Sequence, residues 1–147
     1  MRRRAVLLFL CAFAAWAATG AQARAPLPGI RTPSGNISCF FVAGPPGHVL
    51  CSIRHAAYAR ALQDRCGATA SLDWHGFELT PRRKGTFVCS GGVLYDSGTS
   101  VPRYVTLPYG RTWTRGPFTC YSRVAGLSCG NHTGHGLFVS RQSWHRW

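Results

Sequence analysis

Six cysteines constrain this chain more than any other feature: Cys39, Cys51, Cys66, Cys89, Cys120 and Cys129. An even set in a short chain with an export signal reads as a disulfide framework. Cys39 and Cys51 flank Ala43-Gly-Pro-Pro-Gly47, and a five-residue turn there places them opposite each other on neighbouring strands. Cys120 and Cys129 flank Arg123-Val-Ala-Gly126, where a four-residue turn does the same. Cys66 and Cys89 then pair by elimination. Each bridge contributes roughly 3 kcal/mol by restricting the unfolded chain, which matters for a core this small. Zinc would need closely spaced pairs such as C-x-x-C, and the sequence has none.

The export signal lies in residues 1–23. Arg2, Arg3 and Arg4 form a positive start, Ala5 to Ala18 is an apolar run, and Ala21-Gln22-Ala23 supplies small residues for cleavage after Ala23. That run is shorter than the ~20 residues of a membrane span. It carries a seventh cysteine, Cys11, which cleavage removes; bulky Leu10 before it argues against a lipid anchor. The expected organisation is therefore a signal peptide over 1–23, a flexible leader over 24–31, and one disulfide-stapled domain over 32–147. Secretion, or residence in the periplasm or cell envelope, follows from the signal.

Net charge is +13, from 17 basic and 4 acidic residues, and falls to +10 (14 − 4) once the three leading arginines are removed. A charge of that size attracts polyanions: nucleic acid, anionic wall polymer or phospholipid head groups. Arginine-rich composition alone accounts for much of it, because only Arg82-Arg83-Lys84 forms a run.

The chain divides into short β segments. Pro33-Ser-Gly-Asn36 has turn chemistry, after which Ile37, Cys39 and Phe41 alternate as one face of a strand, and His48 to Ile53 returns as its partner. Arg54 to Arg65 is the one helix-like stretch, alanine-rich with Tyr58 and Leu62 four apart, and an irregular loop is the alternative. Ser71 to Leu79 alternates as a strand with Gly76 marking a bulge, and Thr86 to Ser90 follows the basic turn Pro81–Gly85. Gly91-Gly92 and Asp96-Ser97-Gly98 break the chain before Tyr104 to Leu107. Leu107 to Arg141 then reads as strand–turn–strand–turn–strand, with a glycine at nearly every bend, and looks like a folding core. For the tryptophans of Ser143–Trp147 the sequence leaves both packing and exposure open.

Chemistry is sparsely provided for. His132 and His135 lie three apart in GNHTGHG, with His145 further on, but no acidic residue lies nearby in sequence to orient a ligating imidazole. They read as polar turn residues, so no metal is expected. The same glycine-rich loop runs into Leu137-Phe-Val139, a strand, whereas phosphate-holding glycine loops open a helix. Asp64, Asp73, Glu78 and Asp96 are the only carboxylates, and Asp73 and Glu78 fall on opposite faces of a regular strand. No G-x-S-x-G elbow occurs, and paired cysteines leave no thiol nucleophile. One hydrolase reading survives, a nuclease with His132, His135 and Arg141 as base, acid and charge clamp. Elsewhere Tyr109, Trp113, Phe118 and Tyr121 interleave with Arg111, Arg115 and Arg123. Such a mix suits single-stranded nucleic acid or sugar, though Trp113 and Phe118 also read as core; Tyr121, on the face opposite Cys120, is the best candidate for exposure.

Thr32-Pro-Ser-Gly-Asn-Ile-Ser-Cys39, Leu107-Pro-Tyr-Gly110 with Trp113, Gly116-Pro-Phe-Thr-Cys120, Gly126-Leu-Ser-Cys129 and Gly134-His-Gly-Leu-Phe-Val-Ser-Arg141 together resemble a family of small exported bacterial domains of unknown function. The resemblance runs from about Thr32 to Arg141 and implies export, paired cysteines and a shared fold. It assigns no catalytic residue, and Arg54 to Arg65 lies outside its motifs.

The expected fold is all-β: seven or eight short antiparallel strands in a sandwich or partly closed barrel with three disulfides. The expected function is a non-enzymatic binding or envelope-associated module without cofactors. Its partner is an anionic polymer or surface, or a protein. The candidate contact residues are Arg82, Arg83, Lys84, Arg111, Arg115, Tyr121, Arg123, His132 and His135.

Overall fold

In the computed structural model, which describes residues 29–70, 72–91 and 103–147, each cysteine hairpin is the centre of its own sheet. The elements in chain order begin with β1 (Gly29–Arg31), β2 (Ile37–Val42), β3 (His48–Ile53), α1 (Ala59–Ala70), β4 (Asp73–Leu79) and β5 (Thr86–Ser90). They continue with β6 (Tyr104–Thr106), β7 (Thr112–Arg115), β8 (Phe118–Arg123), β9 (Gly126–Asn131), β10 (Gly136–Val139) and β11 (Trp144–Arg146). One six-stranded sheet has the order β5-β4-β3-β2-β1-β6, and a five-stranded meander has the order β11-β10-β9-β8-β7. All pairings are antiparallel except β1 with β6. The fold is thus a mainly antiparallel β structure of two unclosed sheets, a sandwich, with one short helix.

All three expected disulfides are present: Cys39–Cys51, Cys66–Cys89 and Cys120–Cys129. Turn length fixed two of them. Cys39 faces Cys51 in the β2–β3 register, and Cys120 faces Cys129 in the β8–β9 register. Both bridges point inward, and the Sγ atoms of Cys39, Cys51 and Cys129 lie within 4.8 Å of one another. One disulfide therefore packs on the other where the sheets meet. Around them lie Ile30, Ile37, Val49, Phe77 and Leu79 from the first sheet, and Phe118, Leu127, Leu137 and Val139 from the second. Removing this apolar surface from water supplies the main driving force for holding the two sheets together.

Gly76 is the bulge that the sequence suggests. The β4–β5 register shifts between Trp74 and Gly76. Gly76 has φ +136°, and a Cβ there would collide with the Cys51 carbonyl. The bulge puts Trp74 and Phe77 against each other, with ring centroids 5.6 Å apart, although they are an odd number of residues apart. It also revises one expectation. Asp73 pairs with Ser90 and Glu78 with Thr86, four apart on β5, so the two carboxylates share a face.

Other expectations shift at the edges. The helix runs over Ala59–Ala70 and not over Arg54 to Arg65. The cause is tertiary: the Asn36 amide binds both His55 N–H (2.9 Å) and His55 C=O (3.1 Å), and Ala57 N–H donates to Arg141 C=O at 2.8 Å. Those bonds hold residues 54–57 out of the helix. Cys66 lies inside α1, four residues after Leu62, and both face the core. Gln63 fastens the helix to β4 by accepting from Trp74 N–H (2.9 Å) and donating to Asp73 (3.0 Å). Among the described residues the sheet begins at Gly29, within the stretch expected as leader, and eleven strands form where seven or eight are expected. The extra ones are short: β1 and β11 have 3 residues each and β7 has 4, whereas β6 falls within the expected segment Tyr104 to Leu107. The signal peptide, the rest of the leader and most of the glycine breaks near 91–98 lie outside the described residues.

Candidate functional site

Among the described residues, loops at each end of the sandwich form concave surfaces. At one end β9 runs into Asn131, a buried side chain whose amide nitrogen donates to Thr80 C=O (2.9 Å) and Arg83 C=O (3.1 Å). Its amide oxygen accepts from Thr133 N–H (3.1 Å), the Thr133 hydroxyl (2.9 Å) and His135 N–H (3.0 Å). One side chain thus docks the basic turn 81–84 onto the loop 131–135. Sequence reasoning missed Asn131; its only signal was an asparagine opening a glycine-rich turn.

This docking brings together residues far apart in sequence. Pro46, Thr80, Pro81, Arg82, Arg83 and His132 line a groove of about 610 Å³. A smaller depression of about 330 Å³, lined by Gly116, Pro117, Thr119, Gly130, Asn131 and His132, shares His132 with it. Arg82, Arg83, Lys84 and His132 are exposed, and His135 is half-buried.

The remaining candidates lie elsewhere. Tyr121 and Arg123 occupy the outer face of the second sheet, with the guanidinium carbon 4.7 Å from the ring centroid, a cation–π contact. Tyr121, the best candidate for exposure, is half-buried. Arg111 precedes edge strand β7, and Arg115 ends it. Phe118 is fully buried and Trp113 packs against the core. The two C-terminal tryptophans divide: Trp144 packs on Phe77 (5.1 Å), whereas Trp147 remains 41% exposed.

The nuclease trio does not assemble. His135 and Arg141 flank β10, and six strand steps of ~3.3 Å separate them by roughly 20 Å. Of the carboxylates, Glu78 lies 3.9 Å from His48 and Asp73 accepts from Gln63; Asp96 lies outside the described residues. The sulfur cluster of Cys39, Cys51 and Cys129 offers no thiolate, because each sulfur is in a disulfide.

At the opposite end a second cleft of about 360 Å³ includes Asn36, His55, Tyr109, Arg123 and Arg141 in its lining. The sequence marked neither Asn36 nor His55 as a binding residue, and Arg141 only as the nuclease charge clamp, since the walls of this cleft come from five separate segments. The chain matches no family model, no characterised protein and no solved structure. Three disulfides fit an oxidising compartment. Among the described residues no helix is long and apolar enough to cross a membrane.

Proposed function

We propose that this chain is an exported, non-enzymatic binding module whose cationic end holds an anionic polymer or envelope surface. The observation that carries the reading is the docking of the basic turn so that Arg82 and Arg83 line one groove with His132, with Lys84 exposed next to them in sequence. Dispersed arginines give a diffuse field, but three basic side chains on a fixed turn give a local one that a chain of phosphates or carboxylates can follow. The adjoining depression past His132 extends that track toward Gly116 and Pro117. The resemblance to small exported bacterial domains supports export and assigns no reaction. With His135 and Arg141 at opposite ends of β10, the charge clamp put forward for hydrolysis lies far from the acid and base, His135 and His132.

The test uses the oxidised protein mixed with DNA, RNA, anionic wall polymer and acidic vesicles at low and moderate salt. Bound fraction and polymer length are both read. Salt-sensitive binding with intact polymer is expected. Replacing Arg82, Arg83 and Lys84 together by Gln should reduce the slope of log affinity against log salt by about 2 to 3. An unchanged slope would locate the charge effect elsewhere on the surface. Shortened polymer would replace the binding module with a hydrolase.

A further inference from the structure

We propose that the opposite end carries a second, separate site: a cleft that takes a small organic oxyanion, a carboxylate or phosphate monoester, between Arg123 and Arg141. Arg123, Arg141 and His55 line a space of about 360 Å³, and no carboxylate is among the lining residues. Among the described residues the only acid–base contact at ion-pair distance is His48–Glu78, on another face, so Arg123 and Arg141 have no acidic partner among those residues. Guanidinium forks match the paired oxygens of a carboxylate or phosphate, and two of them across one cleft favour an anion over water.

A surface arginine is ordinarily just solvated. Here the walls are held in place. Asn36 pins the His55 backbone on both its N–H and its C=O. Ala57 N–H holds Arg141 C=O at 2.8 Å, and the Tyr58 hydroxyl holds the neighbouring Ser140 C=O at 2.9 Å. The Ser140 hydroxyl accepts from Gln142 N–H and Ser143 N–H, at 3.2 and 3.0 Å, and so fixes the turn that presents Arg141. Arg123 is oriented by Tyr121, and the turn that carries it closes on Gly126, whose φ of +151° and 2.5 Å Cβ clearance to Val139 C=O exclude a side chain. Such a frame spares an incoming anion the cost of ordering the loops. The volume is that of a small-molecule site and too small to enclose a polymer. Tyr109, 40% exposed in the lining, offers a flat face to the body of the ligand.

The experiment titrates the oxidised protein at low salt with benzoate, phenyl phosphate and neutral benzamide, following amide shifts by NMR. Saturable shifts centred on residues 36, 55, 123 and 141 are expected for the two anions, with benzamide at least ~10-fold weaker. The tighter of the two anions identifies carboxylate or phosphate as the group preferred. Arg141→Gln should weaken anion binding by ~10-fold or more, while Arg82→Gln leaves it unchanged. The backbone bond from Ala57 does not depend on the Arg141 side chain. Arg123→Gln is the second variant and gives the same reading should Arg141→Gln disturb the turn. Equal binding of benzamide and benzoate, indifference to both variants, or no saturable shift up to ~10 mM ligand would overturn the proposal.

Discussion

Asn131 and Asn36 hold the loops at opposite ends of the sandwich, and they do so differently. Asn131 is buried and joins two loops through five hydrogen bonds. Asn36 is half-buried, and its side chain makes two, both to His55. The cleft end makes up the difference with backbone bonds between distant segments. Arg54 N–H donates to Asn36 C=O (2.9 Å), Leu107 N–H to Arg31 C=O (2.8 Å), and Gly110 N–H to Ser122 C=O (2.8 Å). The groove end thus relies mainly on one side chain, with Gly85 N–H to Gly136 C=O (3.2 Å) and the Thr133 hydroxyl to Pro81 C=O (3.4 Å) beside it, and the cleft end is distributed. A single substitution should therefore loosen the basic groove more than the cleft.

The largest effect tests whether both ends share one foundation. Phe77 is fully buried, with Tyr58, Trp74 and Trp144 around it at centroid distances of 6.2, 5.6 and 5.1 Å. Phe77→Ala should cost about 3–5 kcal/mol by lost burial and the cavity it leaves. Amide exchange in denaturant should show residues 80–84 and 107–110 opening in one transition. Separate transitions would make the two ends independent units and end the comparison.

Next comes Asn131→Ala. Two carbonyls lose a donor and two N–H groups lose an acceptor in a partly dry turn, which should cost about 2–3 kcal/mol. Exchange should quicken over 80–84 and 132–135, polymer binding should weaken, and benzoate binding at the far cleft should stay as it was. Asn36→Ala is the mirror experiment, with only about 1 kcal/mol expected because its two bonds are more exposed and backbone bonds remain. If the two alanine variants cost the same, the distributed frame is not the reason for the asymmetry.

How far the sequence discloses this arrangement depends on the range of the forces involved. Hairpin disulfides are legible because turn length sets register, and register sets which cysteines face each other. Gly76 is legible as a bulge because a glycine interrupting an alternating strand has few other uses. The helix start is not legible. Alanine-rich propensity extends back to residue 54, but Asn36 and Arg141 bind the backbone of 55 and 57 from remote segments, and two or three tertiary hydrogen bonds outweigh tenths of a kcal/mol per residue of propensity. Strands of three residues such as β1 and β11 carry too little alternation to be seen. The basic turn announces itself as a run of like charge. The cleft does not, since Arg123 and Arg141 become neighbours only after β8 and β10 take their places in the sheet.

The smallest effect concerns Tyr58, whose hydroxyl donates to Ser140 C=O at 2.9 Å and whose ring packs on Trp74 and Phe77. Burial pushes its phenol well above the ordinary range, so the folded state keeps the proton where the unfolded chain loses it. Stability from this group is complete below the unfolded phenol value of ~10 and declines as pH rises beyond it, because the unfolded state then holds fewer protons. Denaturation midpoints between about pH 9 and 11 should therefore fall for the wild type. In Tyr58→Phe they should start lower by about 0.5–1 kcal/mol for the lost hydrogen bond and then fall less steeply. At neutral pH faster exchange should appear first at Ser140–Ser143 and leave the basic turn untouched. An equally steep alkaline slope in the Phe variant would assign the pH dependence to other groups and remove Tyr58 from the frame of the cleft.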